Sequence, residues 1–307
     1  MTDAVRIGTR GSALALAQAR LASAAFERHG FAARLVTIAT DGDLRAPDTA
    51  WGEGAFVKAI ELALLDGRID VAVHSAKDVP TDEDERLLIG GYLPRADARD
   101  ALVLGQSTVL GQSTPESFDG LPPGSVVGTD SPRRTAFLLA RRPDLRVRPL
   151  HGNVDTRLRR LEAGEVDAAI LACAGLDRLG RGARIAQRID PDQMPPAPGQ
   201  GAIALQIRRD DGRLKYVTAA VDDRPTRIAV EAERALLRRA GGGCRSPIGA
   251  FAEVGEGHLR LLGGHARPDG TGGRIGVRDG RIDQMHEVVD ALYRDLWTSA
   301  AVSESIA

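Results

Sequence analysis

The chain has 307 residues, enough for two or three domains at the usual ~100–200 residues each. Hydrophobic residues make up 43%, charged residues 27% and aromatics only 4%, so a globular core must be built from Ala, Leu, Val and Ile. A net charge of −1 argues against nucleic-acid and anionic-membrane partners, and no stretch approaches the ~20 apolar residues of a membrane helix.

The amino terminus, MTDAVRIGTRGSALALAQ, lacks the basic start and continuous apolar stretch of a signal peptide, which points to a cytoplasmic protein. Residues 4–10 read as a strand, and SALALAQARLASAAFERHG as a helix ending at Gly30. A second strand follows over 32–40, a helix over 55–68, and a buried strand, IDVAVHSAKDVP, over 69–80. This βαβαβ order calls for a parallel sheet with helices on both faces. A second alternating unit begins near ARDALVLG (98–105) and runs through GSVVGTDSPRRTAFLLARR, LRVRPLHGNVDTRLRRLEAGE and VDAAILACAGLDRLG. The proline-rich DQMPPAPGQGAIALQIR (192–208) then crosses back, its strand returning to the first sheet. After AAVDDRPT, one helix (RIAVEAERALLRRAGGG), three strand-like segments and a last helix form a small α+β domain.

The expected architecture is therefore α/β: two periplasmic-binding-protein-like α/β lobes around a cleft, plus a small C-terminal α+β domain. The boundaries fall at residues 1–97 plus 199–218 for the first lobe, 98–198 for the second and 219–307 for the last domain.

Four strand-to-helix or strand-to-loop junctions carry the chemistry. VAVHSAKDVP delivers His74, Ser75, Lys77 and Asp78 to a strand end, where α/β enzymes keep catalytic groups. The plain alternative is a loop with a local Lys–Asp pair. GTDSPRR places Thr129, Ser131, Arg133 and Arg134 at a helix start, where free N–H groups favour an anion. An ordinary N-cap with solvated arginines would look the same. HGNVDTRL offers Asn153 and Arg157, and IGTRGSALALAQ offers Arg10 and Ser12. Together they fit a ligand with several carboxylates or phosphates, because arginine grips such groups through two parallel hydrogen bonds. There is no GxxxxGK[ST], which excludes a P-loop. Lysine occurs only at 58, 77 and 215, so Lys77 stands out in an arginine-rich chain.

The two cysteines, Cys173 and Cys244, show neither CxxC spacing nor a zinc pattern, and no metal is expected. Cys173 lies in an apolar run. Cys244 ends the glycine run of RRAGGGCRSPIGA, a turn on which a thiol can serve as covalent anchor or nucleophile. No histidine base is near it in sequence, which leaves an anchoring role at least as well supported; alone, it would read as a free cysteine on a turn.

The segments IGTRGSALALAQA, VAVHSAKDVPT, VGTDSPRR, HGNVDTRL, LACAGLDRL, PAPGQGA and GGGCRSPIGA occur in order over nearly the whole chain. Together they resemble the porphobilinogen deaminase (hydroxymethylbilane synthase) family. The resemblance implies condensation of four porphobilinogen molecules, with loss of four ammonia molecules, primed by a dipyrromethane cofactor on a cysteine that falls on Cys244. It implies Asp78 as the catalytic acid, stabilising the cationic azafulvene formed as ammonia leaves. Lys77, Ser75, Thr129, Ser131, Arg133, Arg134 and Asn153 match cofactor positions. Arg10, Ser12, Gln18, Phe56, His151, Arg157, Arg178 and Gln200 match substrate or cleft positions, as does Gly199. It also favours a monomer acting on a small molecule.

Three departures stand out: His151 where arginine is common, Asp130 beside the arginine pair, and Glu53 where lysine is frequent. They motivate an alternative reading, a catalytically impaired or substrate-shifted relative. A two-lobed carboxylate-binding protein is a further alternative, although it needs neither Cys244 nor a third domain.

Overall fold

The computed structural model describes residues 4–39, 57–81, 84–105, 115–243 and 245–298. The chain divides into two compact units, Met1–Ala96 with Gly201–Ile228, and Asp97–Gln200 with Ala229–Ala307.

In the first unit β1 (Val5–Thr9), β2 (Ala33–Thr37) and β3 (Val71–Ser75) are parallel. Strand β10 (Ile203–Arg208) runs antiparallel between β3 and β4 (Leu87–Leu93), giving the order β2-β1-β3-β10-β4. Central β3 is buried from Val71 to His74, as expected for a strand covered on both faces. On one face Val5, Ile7, Val71 and Leu205 pack against Ala19, Ala22 and Phe26 of α1 (Ala13–Arg28) and Leu214 of α6 (Gly212–Ala219). On the other, Ala72 and Leu87 meet Ile60 and Leu64 of α2 (Lys58–Leu65).

The second unit contains β5 (Asp100–Leu104), β6 (Val126–Gly128), β7 (Arg146–Arg148), β8 (Ala168–Ala172) and β9 (Gln187–Ile189), ordered β7-β6-β8-β5-β9. Again three strands are parallel and the fourth, β5, is antiparallel to both neighbours. Each fourth strand, β5 or β10, is the first after the chain passes from one unit to the other. Both lobes thus have the periplasmic-binding-protein-like α/β plan read from the sequence, and the PAPGQGAIALQIR strand does return to the first sheet. Helices α3 (Pro132–Arg141), α4 (Val154–Glu162) and α5 (Cys173–Arg178) follow β6, β7 and β8.

Strands β11 (Ile248–Gly255), β12 (His258–His265) and β13 (Arg274–Arg281) form an antiparallel sheet. Its Ala250, Leu259 and Leu261 pack on Ala232 and Leu236 of α7 (Arg224–Arg239) and Val288 and Leu292 of α8 (Met285–Tyr293). The sequence reading did not include α6 or β9, and it differs from the structure at α7 and β4 for definite physical reasons. Helix α7 begins at Arg224, ahead of the RIAVEAERALLRRAGGG stretch read as the helix, because Asp223 caps it: its Oδ2 accepts the Thr226 N–H at 3.0 Å and the Thr226 hydroxyl at 2.6 Å. Strand β4 was hidden by Gly90 and Gly91. A Cβ on Gly91 would fall 2.7 Å from the Thr218 carbonyl, so α6 packs on this strand only because the residue is glycine. No helix among the described residues is long and apolar enough to cross a membrane.

Candidate functional site

In the first unit, Arg10, Ser12, Gln18, His74, Ser75 and Asp78 line one pocket, floored by Val57, Ile60 and Val73. The sequence produces it simply. β1 ends at Thr9, Arg10 leads into α1, and Ser12 caps that helix by accepting the Ala15 N–H at 3.3 Å. Gln18, one turn along, donates its side-chain amide to Ser75 Oγ at 2.8 Å, joining α1 to the end of β3. A single 3-10 turn, Ala76–Asp78, then carries half-buried Lys77 and exposed Asp78. The Ala76 N–H donates to the Ala202 carbonyl at 3.0 Å, which fixes the turn against β10. Buried His74 contacts Gln206 Oε1 through Nε2 at 3.0 Å, and Gln206 donates to Glu61 at 2.9 Å. Burial pulls the His74 imidazole down to about 4, so it is neutral at pH 7.

The second unit holds a buried charge cluster. Ser131 caps α3, with Pro132 at its first position, and accepts the Arg134 N–H at 3.4 Å, while the Ser131 N–H donates to Thr129 Oγ1 at 3.2 Å. The next two residues, Arg133 and Arg134, are only 3% and 5% exposed. Their counter-ion is Asp100, at the head of β5 and 0% exposed. Arg133 Nη1 donates to Asp100 Oδ2 at 2.7 Å and to the Pro195 carbonyl at 2.6 Å. Arg134 donates to Asp100 Oδ1 from Nε at 3.0 Å and Nη2 at 2.8 Å, and to the Ile170 carbonyl from Nη1 at 2.9 Å. Gln200, 1% exposed, adds a bond from Nε2 to Asp100 Oδ1 at 2.9 Å and another to the Ala98 carbonyl at 2.7 Å. Gly199 and Gly201 flank it with φ of +78° and +86°, a conformation that turns the chain here and suits glycine. Burial alone would raise the Asp100 carboxyl, but the Arg133 and Arg134 charges more than offset it and hold it far below the usual carboxylate range. Arg133 Nε, by contrast, is buried without a hydrogen-bond partner.

Asp130, on the same loop, meets Arg157 Nη2 at 3.3 Å through Oδ2 and His151 Nδ1 at 2.9 Å through Oδ1. The second contact is close but off the hydrogen-bond line. Asn153 caps α4, accepting the Thr156 N–H at 2.9 Å. Arg178 lies in the last turn of α5, its guanidinium pulled down to about 10 by burial. Burial pushes the Cys173 thiol up to about 12, which makes it an inert core residue. Cys244, Phe56 and Glu53 lie outside the described residues.

Two family models match the chain: "Porphobilinogen deaminase, dipyromethane cofactor binding domain" over residues 5–216, and "Porphobilinogen deaminase, C-terminal domain" over 227–292. A porphobilinogen deaminase of Mycobacterium marinum is 50% identical over 253 residues, covering 82% of this chain and 78% of the relative. One from Mycobacterium leprae is 46% identical over 277 residues, covering 87% and 85%. The chain belongs to the porphobilinogen deaminase family. Among solved structures, a substrate-binding domain of a putative amino acid ABC transporter from Streptococcus pneumoniae aligns with a TM-score of 0.45 and 14% identity, over 78% of this chain and 95% of that one.

The family's cofactor-binding model spans both clusters. A dipyrromethane with carboxylate side chains fits the second, because the buried Arg133 Nε–H has no acceptor of its own. The sequence reading missed Asp100 and Glu233. Asp100 was legible in principle, as a lone acid heading the apolar run ALVL. Glu233, 0% exposed on α7, accepts the Gly199 N–H at 2.7 Å and the Ala252 N–H at 2.8 Å. Its only signal is a charge on the helix face shared with Ala229, Ala232 and Leu236.

Proposed function

We infer that the chain is an active member of its family, a cytoplasmic, monomeric transferase acting as a hydroxymethylbilane synthase. It joins four porphobilinogen molecules head to tail, releasing four ammonia molecules and hydroxymethylbilane. The observation that most supports this is the buried Arg133 Nε–H without a hydrogen-bond partner, on the same chain as an exposed carboxylate, Asp78, that lines one pocket with Arg10. Dipyrromethane, bound through Cys244, supplies the pyrrole carbon to which the first substrate is joined.

Arg133 grips a cofactor carboxylate, while Lys77, Ser75, Thr129, Ser131, Arg134 and Asn153 orient the cofactor around it. Arg10, Ser12, Gln18, Phe56, His151, Arg157, Arg178 and Gln200 receive substrate, whose paired carboxylates need several fixed cations. Asp78 stabilises positive charge developing on the substrate as ammonia departs, and holds or returns the proton at its carboxylate. The three-part organisation with boundaries at 97/98, 198/199 and 218/219 is proposed with it.

Asp78→Asn tests the assignment. Asp78 is exposed, so folding stability should change by no more than ~0.5 kcal/mol. Loss of its charge should lower ammonia release from porphobilinogen by about 100-fold or more. Turnover within a few-fold of wild type would remove Asp78 from its role.

A further inference from the structure

Three hydrogen-bonded side chains lead to the pocket that Asp78 lines. Glu61 on α2, Gln206 on β10 and His74 on β3 join in that order. His74 stands opposite Ala204, and Gln206 lies two residues further along β10, so the two side chains are diagonal neighbours on the sheet.

Their hydrogen bonds have only one consistent direction. A carboxylate only accepts, and Glu61 Oε1 accepts the Gln206 Nε2–H at 2.9 Å. That turns Gln206 Oε1 toward His74, 3.0 Å from Nε2. An amide oxygen also only accepts, so His74 Nε2 carries the ring proton. The imidazole is neutral at pH 7, because burial pulls it down to about 4, and Nδ1 is therefore a bare acceptor. Glu61 sets the amide, and the amide sets the tautomer. His74 is 4% exposed and lines the pocket with Arg10, Ser12, Ser75 and Asp78. Its Nδ1 makes no hydrogen bond among the described residues. A buried acceptor without a donor is costly, and a ligand N–H relieves that cost. Arg10 suits a ligand carboxylate, whereas a neutral ring nitrogen suits an N–H.

We propose that His74 Nδ1 accepts a hydrogen bond from an N–H of porphobilinogen, on the pyrrole or the aminomethyl group, and that Gln206 and Glu61 are positioning residues that hold its tautomer. This rests on the functional reading above and adds a substrate contact to it. The role is binding rather than proton transfer, because an imidazole so hard to protonate is a weak base.

Long-range 1H–15N correlation spectra of the full chain, labelled at histidine, read the tautomer directly, and His74→Asn assigns the signals. Wild type should show the His74 proton on Nε2 from about pH 6 to pH 8, and Gln206→Leu should show both tautomers. Excess porphobilinogen should move the Nδ1 resonance upfield, as accepting a hydrogen bond does, and leave Nε2 in place. The same shift from an analogue with methyl in place of aminomethyl identifies the pyrrole N–H; a shift from porphobilinogen alone identifies the aminomethyl group. In steady-state kinetics His74→Phe should raise the KM for porphobilinogen by about three- to tenfold with kcat little changed, the size of one neutral hydrogen bond. A wild-type proton on Nδ1, an Nδ1 resonance that porphobilinogen leaves unmoved, or an unchanged KM in His74→Phe overturns the contact. A single Nε2–H tautomer in Gln206→Leu overturns the positioning role. If Nδ1 moves but no ammonia is released, the functional reading fails while the contact stands; ammonia release with Nδ1 unmoved counts against the contact alone.

Discussion

Asp130 faces the Arg157 guanidinium at 3.3 Å and the His151 ring at 2.9 Å, within the segments that the family resemblance assigns to cofactor and substrate. An added acid beside a carboxylate site is counterproductive unless it is paired, and here it is. Its carboxylate still competes with a substrate carboxylate for Arg157. Asp130→Ser should therefore lower the KM for porphobilinogen by about three-fold or more, as expected when a partly buried charge pair no longer competes. An unchanged or raised KM in steady-state kinetics would mean that Asp130 orients Arg157 instead. His74 shows the opposite economy, a titratable group kept neutral. Its imidazole binds a proton near 6.5 when unfolded and near about 4 when folded, so unfolding takes up a proton between these values. Stability should fall as pH drops from 6.5 toward 4, by on the order of 3 kcal/mol. Urea unfolding at pH 7 and pH 5 should show about 2 kcal/mol of this loss in wild type and much less in His74→Asn. Equal pH dependence in both would remove His74 as its source.

At the scale of elements, the informative junctions are those where a chain reversal is fixed by a buried acid. Glu233 is the clearest: one carboxylate on α7 accepts N–H groups from the glycine turn at Gly199 and from β11 at Ala252. Glu233→Ala leaves two buried donors without acceptors and should cost about 3 kcal/mol, read as a lower urea midpoint with an unchanged slope. A loss below about 1 kcal/mol would mean that water or local relaxation satisfies both groups. The caps at Ser12, Ser131 and Asn153 were legible in the sequence because each is a short polar side chain just before a helical period. Asp100 and Glu233 were not read, because a single charge inside an apolar pattern does not say what it will face. Their partners, Arg134 and Gly199, lie 34 residues away in sequence, beyond any local rule. Strand β4 escaped for another reason. Its paired glycines mimic a turn, and only the packing of α6 explains them.

Over the whole molecule, alternation of period-two and period-3.6 segments was enough for the two α/β lobes and the segregated C-terminal sheet. It also placed β10 in the first sheet after a long excursion, because a buried strand after a proline-rich crossing has to find an existing sheet edge or gap. The unequal use of Arg133 and Arg134 was not legible. Adjacent arginines look alike in sequence, and only the position of the Asp100 carboxylate separates them.

The most direct measurement is the intact mass of the purified native chain beside that of Cys244→Ser, both from cells that make porphobilinogen. A two-pyrrole increment on the native chain, absent from the variant, is the expected result and establishes the tether from which the tetrapyrrole grows. An unmodified native mass, or an increment that survives Cys244→Ser, would contradict it.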